Sequence, residues 1–527
     1  MRAQNNSLRD LSRRQAAAVL LTIAGAAVAL RARFLSVPLE RDEGEYAYFG
    51  QLILQGGIPY RDAYNMKPPG VYYAHAAVLW FLGENPVAVR VGATIAALVA
   101  VYWLYRLARR WYSRRASLAA SATLAVLSAS TSVLGFASKA EHFVLAFALP
   151  ALWLVQPWER ATSVLRACVA GILLGMSAAM KPSGAAFALA LVGAWWRVVS
   201  TPHLPAHLGR LAAFVLGCAL PWFVVGAGFW WAGAAEKMWF WTITYARHYA
   251  TDIPFAQGLV LAGTSLGRAI VSAPLVWLAA TGGWLWIVRH DRADRRSALL
   301  WFLASSVVAV ALGWRFSEHY FLLLLPAVAL GVAKLADTVQ WSWKWFWLVL
   351  VLLIGSAALF EQWRLYGRSP TEVARLVYGR NPFPEAVEIG RYLLEHSKPE
   401  DRVAVIGSEP EIYFYARRRA ATGFVYTYPL MELHPFARAM QQQMQREIES
   451  ARPRFLVLVH VPTSWSRRSE SVVDILEWSA RYANTHYRPV GLVEIPEVGE
   501  SRYTWNEAAL FRYPETDCFL SVFERKE

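Results

Sequence analysis

The chain has 527 residues, of which 56% are hydrophobic and only 17% are charged, and its formal net charge is +15. A soluble protein rarely tolerates this composition, and apolar runs of about 18 residues or more recur along the chain, as is typical of a polytopic membrane protein. Most of the surplus lysine and arginine lies in short loops between apolar runs, which indicates topology signals and argues against a nucleic-acid-binding face.

The first apolar run follows Arg9, Arg13 and Arg14 and is about twenty residues long. No small-x-small cleavage site ends it, so we expect a retained membrane helix and not a removed signal peptide. Runs of similar character predict eleven spans: 15–35, 86–107, 116–134, 140–156, 164–180, 184–200, 210–231, 262–288, 297–314, 319–336 and 343–361.

The positive-inside rule orients these spans. With the amino terminus inside, the inner loops are 108–115, 157–163, 201–209, 289–296 and 337–342. These loops and their flanks contain Arg109, Arg110, Arg114, Arg115, Arg160, Arg197, Arg210, Arg289, Arg292, Arg295 and Arg296. The run 70–82 follows a double proline and is too short to span, so we predict an interfacial or re-entrant helix there. Counting it as a span would put the arginine clusters outside.

The first outer stretch, residues 37–73, mixes acids and aromatic residues with a lysine and prolines. Asp42 and Glu43 follow the first span, and a carboxylate near apolar surface can act as a general base. Lys67 precedes two prolines that fix the backbone, so its ammonium suits a phosphate group. The pattern indicates a reaction between a proton-losing nucleophile and an anionic lipid leaving group. The alternative is a solvated loop whose lysine reaches the lipid head groups.

Ionisable residues at membrane depth are costly and are usually kept for a purpose. The eleven-span arrangement places a set of them on the outer side: Asp42, Glu43, Lys67, Glu141, Lys181, Arg247, His248, Arg315, Glu318 and His319. Because the arginine bias of the loops, and not these residues, determined the arrangement, their common side indicates one outward-facing site.

Arg315 and His319 are four residues apart and share a face if their segment is helical, so both are candidates for binding a phosphate. His319 could instead protonate a leaving oxygen, and Arg315 could simply pair with Glu318.

Three further residues are candidates for substrate binding. Glu141 could hold sugar hydroxyls, pair with Lys139, or serve only as an acid at a helix amino terminus. Lys181 repeats the lysine-proline pattern at the outer end of another span, and Tyr46 could line a substrate groove. The sequence shows no C-x-x-C or Cys/His cluster and no nucleotide-binding loop, so it predicts no metal ligand set and no nucleotide cofactor.

After about residue 362 the charge density rises and the apolar runs shorten to strand length, which predicts two domains, 1–361 and 362–527. Buried strands are expected at 403–407, 455–460 and 490–495, and amphipathic helices at 385–397 and 436–450. We therefore predict a mainly α polytopic membrane protein with a small carboxyl-terminal α/β domain. The odd number of spans places that domain outside, with a hinge near 380–384.

Several motifs resemble a known family. DEGEYAYFGQ and KPPG in the first outer stretch, followed by a span that ends in YRLARRWYSRRAS, are similar to the integral-membrane glycosyltransferases of the GT-C fold. Within them the likeness is to the protein mannosyltransferase and lipid A aminoarabinose transferase group. HYFLLLLP at 319–326 and VAVIGSEPEIYFYARR at 403–418 are similar to bacterial members of this group.

The resemblance implies an enzyme of the inner (plasma) membrane that transfers a sugar from a polyprenyl-phosphate donor on the outer face, with inversion at the anomeric carbon. It implies Asp42 as the catalytic acidic residue, with Glu43 beside it, and Lys67 as the residue that binds the donor phosphate. Many relatives have aspartate at the position of Glu141. The resemblance leaves a divalent cation open as a cofactor, since some GT-C enzymes use one and others do not.

We expect direct displacement, in which Lys67 and Arg315 stabilise the charge that grows on the leaving lipid phosphate. The acceptor could be a glycan, a lipid or a protein, and the sequence names neither it nor the sugar. A transporter or flippase of lipid-linked sugars is one alternative, but it would need ionisable groups through the midplane and repeated halves. A polysaccharide ligase or polymerase shares the donor chemistry and is the other alternative.

Overall fold

The structure, a computed structural model, describes residues 10–155, 163–192, 204–339 and 343–526. It is mainly helical and contains a small sheet near the carboxyl terminus, as the sequence predicts. Arg160 and Arg197, which belong to or flank predicted inner loops, lie outside the described residues.

The helices up to residue 365 form the apolar part of the molecule. Ser12, Ser113 and Ser163 each start a helix by accepting a hydrogen bond from the backbone three residues on. In chain order the helices are α1 Arg13–Ala32, α2 Arg41–Leu54, α3 Gly70–Leu82, α4 Pro86–Ala108, α5 Arg114–Leu127, α6 Ala140–Val155, α7 Val164–Met180, α8 Leu204–Trp231, α9 Ala235–Trp239, α10 Ala246–Thr251, α11 Phe255–Ser272, α12 Pro274–His290, α13 Ala293–Ala311, α14 Leu325–Thr338 and α15 Trp343–Leu365. Short 3₁₀ helices cover Thr131–Val133, Pro182–Leu191 and Glu318–Leu323, and a π-helix covers Phe240–Tyr245.

Among the described residues, α1, α4, α8 and α15 are long and apolar enough to cross a membrane, and the bent pair α11 and α12 would count as a fifth span. The helices α3, α6 and α7 are apolar but shorter. The predicted number of eleven spans therefore stays a prediction. Exposed apolar side chains such as Phe223, Trp230 and Leu359 give α8 and α15 the surface that contact with lipid requires.

The predicted run 262–288 is two helices and not one. Helices α11 and α12 meet at Ala273 with a bend of 105°. Pro274 is the first residue of α12, where its missing N–H and fixed φ favour a new helix start. At 1.5 Å per residue α12 is about 26 Å long, close to the thickness of the hydrocarbon core. Because of the bend, α11 runs roughly perpendicular to α12.

The ends of several helices meet at the predicted inner loops. The guanidinium of Arg295 lies 4.5 Å from the ring centre of Tyr112, and the backbone N–H of Ser113 donates to Asp337 over 2.9 Å. Lys334 pairs with Asp291. The predicted loops 108–115 and 289–296 and the described start of the third loop, residues 337–339, are thus neighbours, as a common side of the membrane requires.

The carboxyl-terminal part is an α/β domain. Its helices are α16 Pro370–Tyr378, α17 Phe383–Glu395, α18 Pro410–Ala416, α19 Tyr428–Met431, α20 Ala437–Ala451, α21 Pro462–Trp465 and α22 Asp474–His486. Its strands are β1 Arg402–Ile406, β2 Arg419–Ala420, β3 Phe455–His460, β4 Tyr487–Glu494, β5 Arg502–Trp505 and β6 Phe519–Arg525. In the described residues the sheet has the order β2-β1-β3-β6-β4-β5. The first three strands are parallel, and β6, β4 and β5 join by antiparallel pairing.

Candidate active site

Helix α2 positions the acids of the first outer stretch. Glu40 caps it by accepting a hydrogen bond from the N–H of Glu43, and the carboxylate of Glu43 accepts one from the N–H of Glu40. This reciprocal capping box fixes the first turn. Asp42 therefore has a defined direction, away from Glu43 and toward two lysines.

Asp42 bridges two ammonium groups. Lys67 Nζ donates to Asp42 Oδ1 over 2.8 Å, and Lys139 Nζ donates to Asp42 Oδ2 over 2.7 Å. The side chain of Asp42 is 21% exposed and that of Lys67 is 23% exposed, whereas that of Lys139 is only 2% exposed. Asp42 and Lys67 are thus partly accessible to solvent, and Lys139 holds Asp42 from the interior.

Lys67 has a second carboxylate partner, which the sequence analysis missed. Its Nζ donates to Glu45 over 2.5 Å, and the hydroxyl of Tyr72 donates to the other oxygen of Glu45 over 2.6 Å. The ammonium also lies 4.5 Å from the ring centre of Tyr46, the residue proposed to line the groove. Glu45 lies three residues after Asp42, so helical spacing alone could have placed both on one face.

The contact of Lys139 with Asp42 was not predicted from the sequence, which suggested only a pair with Glu141. The structure pairs Lys139 with Glu40 over 2.8 Å and with Asp42. Glu141 pairs with Lys181 instead. Lys139 and Asp42 are far apart in sequence, so only the fold brings them together.

Glu43 faces the interior and is fully buried. Both of its oxygens accept from the guanidinium of Arg90, over 3.0 and 2.8 Å, and the N–H of Ser138 donates to it over 2.7 Å. Neighbouring residues on a helix point in different directions, and here this gives the two acids different surroundings. Glu43 connects α2 to α4 through Arg90, whereas Asp42 is partly exposed and contacts the two lysines.

The two lysines determine the charge of Asp42. Burial by itself would raise the pKa of Asp42, but Lys139 and Lys67 outweigh it and hold this pKa well below its usual range. Burial raises the pKa of Glu40 and Glu45 in spite of their lysine partners. Glu40, Asp42 and Glu45, the acids that contact Lys67 and Lys139, form an acidic cluster. Asp42 is the most firmly ionised of the three.

Glu141, Lys181 and His319 lie beside this cluster. Nε2 of His319 is 3.9 Å from Glu141 Oε1, and the Lys181 ammonium lies 3.4 Å from the ring centre of Tyr320. Among the described residues, Glu141 Oε2 and His319 Nδ1 are buried without a hydrogen-bond partner. Buried polar atoms without partners are unusual, so these two atoms are candidates for contacts with a bound ligand.

Arg315 belongs to a neighbouring cluster. It pairs with Asp252 over 3.3 Å and lies 3.9 Å from Glu432, while Glu318 pairs with Arg268. The suggested pairing of Arg315 with Glu318 is therefore not present. Nor do Arg315 and His319 share a helical face, because Trp314 and Phe316 have positive φ and the 3₁₀ helix begins only at Glu318.

Arg315 still lies near the predicted site. Tyr320 is within electrostatic reach of Glu141, Arg315, Asp42 and Lys67 together. The structure therefore brings Asp42, Lys67, Glu141, Lys181 and His319 into one region and puts Arg315 at its edge.

The α/β domain covers the outer side of α2. Arg41 donates to the carbonyl of Ser408, to the Tyr428 hydroxyl and to Glu409 over 2.6, 2.7 and 3.0 Å. The hydroxyl of Tyr426 donates to Asp42 itself over 3.3 Å. The domain thus contributes directly to the surroundings of Asp42.

One contact between α2 and this domain is unusually close. A Cβ atom added to Gly44 would lie 2.5 Å from Glu411 Cβ and 2.7 Å from the Glu411 backbone nitrogen. Both carboxyl oxygens of Glu411 are buried without a partner in the described part of the chain, and burial raises the pKa of Glu411 well above its usual value. The interface therefore needs glycine at position 44 and accommodates a neutral carboxyl group opposite it.

Within the described ranges, no group of three or more histidine, cysteine, aspartate or glutamate side chains could hold a metal ion. The positive charges beside the acidic cluster come from Lys67, Lys139 and Lys181.

Comparison with known proteins gives a family match over part of the chain. Residues 66–225 match the family model of dolichyl-phosphate-mannose-protein mannosyltransferase. This segment contains Lys67, Lys139, Glu141 and Lys181. No curated protein sequence matches the chain.

Solved structures match nearly the whole chain at low sequence identity. ArnT from Cupriavidus metallidurans bound to undecaprenyl phosphate has 14% identity and a TM-score of 0.62, with 95% of this chain and 97% of that chain covered. Its apo state gives 14% identity and a TM-score of 0.60 over 97% and 98% of the two chains. AglB from Archaeoglobus fulgidus, in complex with an inhibitory peptide and a dolichol-phosphate, gives 14% identity and a TM-score of 0.51 over 97% and 76%. The chain thus has the fold of these proteins, and its predicted resemblance to the integral-membrane GT-C glycosyltransferases is confirmed.

Proposed function

We propose that the protein transfers a sugar from a polyprenyl-phosphate donor to an acceptor on the outer face of the plasma membrane, with inversion. The observation that carries the proposal is the position of the partly exposed Asp42 carboxylate between Lys67 and Lys139. The match to a glycosyltransferase family and the fold of lipid-phosphate-binding proteins support glycosyl transfer as the general activity.

The donor phosphate competes with Asp42 for Lys67. An arriving phosphate attracts the ammonium of Lys67, which in its absence contacts Asp42 and Glu45. Asp42 then loses one of the two charges that hold its pKa down, so its affinity for a proton rises. The base becomes active only when the donor is in place.

Displacement then follows with balanced charges. Asp42 accepts the proton of the acceptor hydroxyl, whose oxygen forms a bond to the anomeric carbon as the bond from that carbon to the phosphate oxygen breaks. Lys67 and Arg315 stabilise the charge on the departing polyprenyl phosphate. His319 donates a hydrogen bond to the phosphate, and Glu141, Lys181 and Tyr46 contact the sugar. Glu43 orients α2 through Arg90.

The direct test is release of polyprenyl phosphate from polyprenyl-phosphate sugars by the purified protein. We expect Asp42→Asn to abolish release while the melting temperature stays unchanged. Asp62→Asn is the matched control, since Asp62 lies in the same outer stretch and contacts the side chain of Arg61 and the backbone N–H of Ile58, and not the lysines of the site. Full activity of Asp42→Asn would refute the assignment of Asp42 as the base. Movement of intact donor across vesicle membranes without its breakdown would favour the transporter alternative.

Assays with and without a chelator test the divalent cation that the resemblance leaves open.

A further inference from the structure

A row of arginines runs across four neighbouring strands of the sheet, at one end of these strands. Arg402 and Arg419 are register partners on β1 and β2. The N–H of Arg454 donates to the carbonyl of Arg402 over 2.9 Å, and the N–H of Arg525 donates to the carbonyl of Arg454 over 3.0 Å. Because neighbouring strands are about 4.8 Å apart, four arginines lie side by side along β2, β1, β3 and β6.

Such a row opposes folding, because like charges at directly opposite positions destabilise a sheet. Arg454 is partly neutralised by Glu524 over 2.5 Å, and Arg419 donates to Gln55. Among the described residues, no acid forms an ion pair with Arg402 or with Arg452, the residue that ends α20. An anionic ligand would remove the repulsion that the protein itself leaves uncompensated.

Three of the four arginines, Arg402, Arg454 and Arg525, line a concavity of about 490 Å³. Its lining contains five basic and two acidic residues: Glu400, Asp401, Arg402, Ala451, Arg452, Arg454, Arg525 and Lys526. The positive-inside rule does not explain these charges, since it acts within about 15 to 20 residues of a span and all of them lie farther from α15.

The concavity is remote from the reacting groups. Arg419, at the edge of the row, contacts Gln55, the residue that ends α2, whereas Asp42 is in the first turn of the same helix. At 1.5 Å per residue these two positions are about 20 Å apart. A ligand of the concavity therefore contacts Asp42 only if it is an extended chain.

We propose that this concavity binds an acidic glycan and that the acceptor of the transferred sugar belongs to this class. That the bound glycan is the acceptor rests on the proposed function. That the concavity binds a polyanion rests on the arginine row alone. Arginine forks match carboxylate and phosphate groups, and a polymer can occupy the concavity while one of its hydroxyls reaches Asp42.

Binding of polygalacturonate to the full-length protein in nanodiscs tests the proposal, with neutral dextran of equal length as the comparison. We expect polygalacturonate to bind and dextran not to bind, and we expect the affinity to fall as salt screens the arginines. The double variant Arg402→Ala/Arg452→Ala should weaken binding at least about tenfold, since each arginine contributes a charge-assisted contact. Arg391→Ala removes an exposed arginine of α17 that pairs with Glu388 and lies outside the lining of the concavity, and it should leave binding unchanged.

Three results would overturn the proposal: no binding of polygalacturonate, equal binding by the double variant, or equal affinity for a short DNA duplex, which would show a general affinity for polyanions. Donor breakdown without an acceptor is measured in parallel. If the unmodified protein does not bind the glycan but still breaks down the donor, this inference alone is refuted, whereas a protein that binds the glycan but never consumes donor refutes the proposed function.

Discussion

At the scale of single residues, the two ammonium groups on Asp42 lead to a prediction about pH. Lys139→Met removes the more buried of them, so the pKa of Asp42 should rise by about 1 to 3 pH units, the effect of one close opposite charge. Because the proposed mechanism needs Asp42 as a carboxylate, we expect activity to be lost as pH falls through this pKa. The acidic limb of the kcat/KM profile should therefore move to higher pH. Lys398→Met, at an exposed position, is the control and should leave the profile in place.

A second residue-scale prediction concerns Glu43. Arg90→Met leaves a fully buried carboxylate without its ion-pair partner, which costs about 3 to 5 kcal/mol of unfolding free energy. The exposed pair of Arg61 and Asp62 contributes only about 0 to 1 kcal/mol, so Arg61→Met should scarcely change stability. Denaturant unfolding in detergent measures both. If Arg90→Met does not fold, Glu43→Gln/Arg90→Met should recover folded protein, and failure of this rescue contradicts the explanation.

The candidate residues show how far sequence reasoning reaches at this scale. Asp42 and Lys67 stand out because both flank an apolar segment and carry unusual neighbours, and the structure places them in contact. Lys139 could not be recognised, because its partner lies on another helix and only the fold shows their distance. A shared face of Arg315 and His319 was predicted only for a helical segment, and the positive φ of Trp314 and Phe316 prevents a helix there.

At the scale of elements, the contact between α2 and α18 depends on Gly44. Gly44→Ala puts a Cβ atom 2.5 Å from Glu411 Cβ, so the two helices must separate. A displacement of Asp42 by about 1 Å should lower the rate of donor breakdown about 100-fold. Gly263→Ala on α11 is the matched control, because nothing lies within 4 Å of its added Cβ. Similar activity of the two variants would show that α2 tolerates the shift.

Sequence periodicity predicted the elements of the α/β domain well. The expected strands at 403–407 and 455–460 correspond to β1 and β3, and the expected helix at 436–450 corresponds to α20. The bend between α11 and α12 was not predicted, because hydropathy reports how apolar a run is and not its direction. Pro274 was the available signal, but a proline within an apolar run also occurs inside continuous helices such as α8, which contains Pro221.

At the scale of the whole molecule, the predicted topology has a direct test. In a variant that lacks Cys168, Cys218 and Cys518, Arg467→Cys should react with a membrane-impermeant thiol reagent in intact cells. Arg292→Cys, in a predicted inner loop, should react only after lysis. The reverse pattern would invert the arrangement, and labelling of both positions in intact cells would contradict it.

The contact between Lys67 and Glu45 also links donor binding to protons. When Lys67 turns to a phosphate, the fully buried Glu45 keeps only the Tyr72 hydroxyl, and burial then favours its neutral form. The complex should therefore take up a proton from the solution, and donor affinity should increase as pH falls. Titration calorimetry in two buffers of different ionisation enthalpy should give different apparent heats, whereas equal heats would show that Glu45 keeps its charge. Binding of the lipid donor would thus be coupled to the uptake of a proton from the surrounding solution.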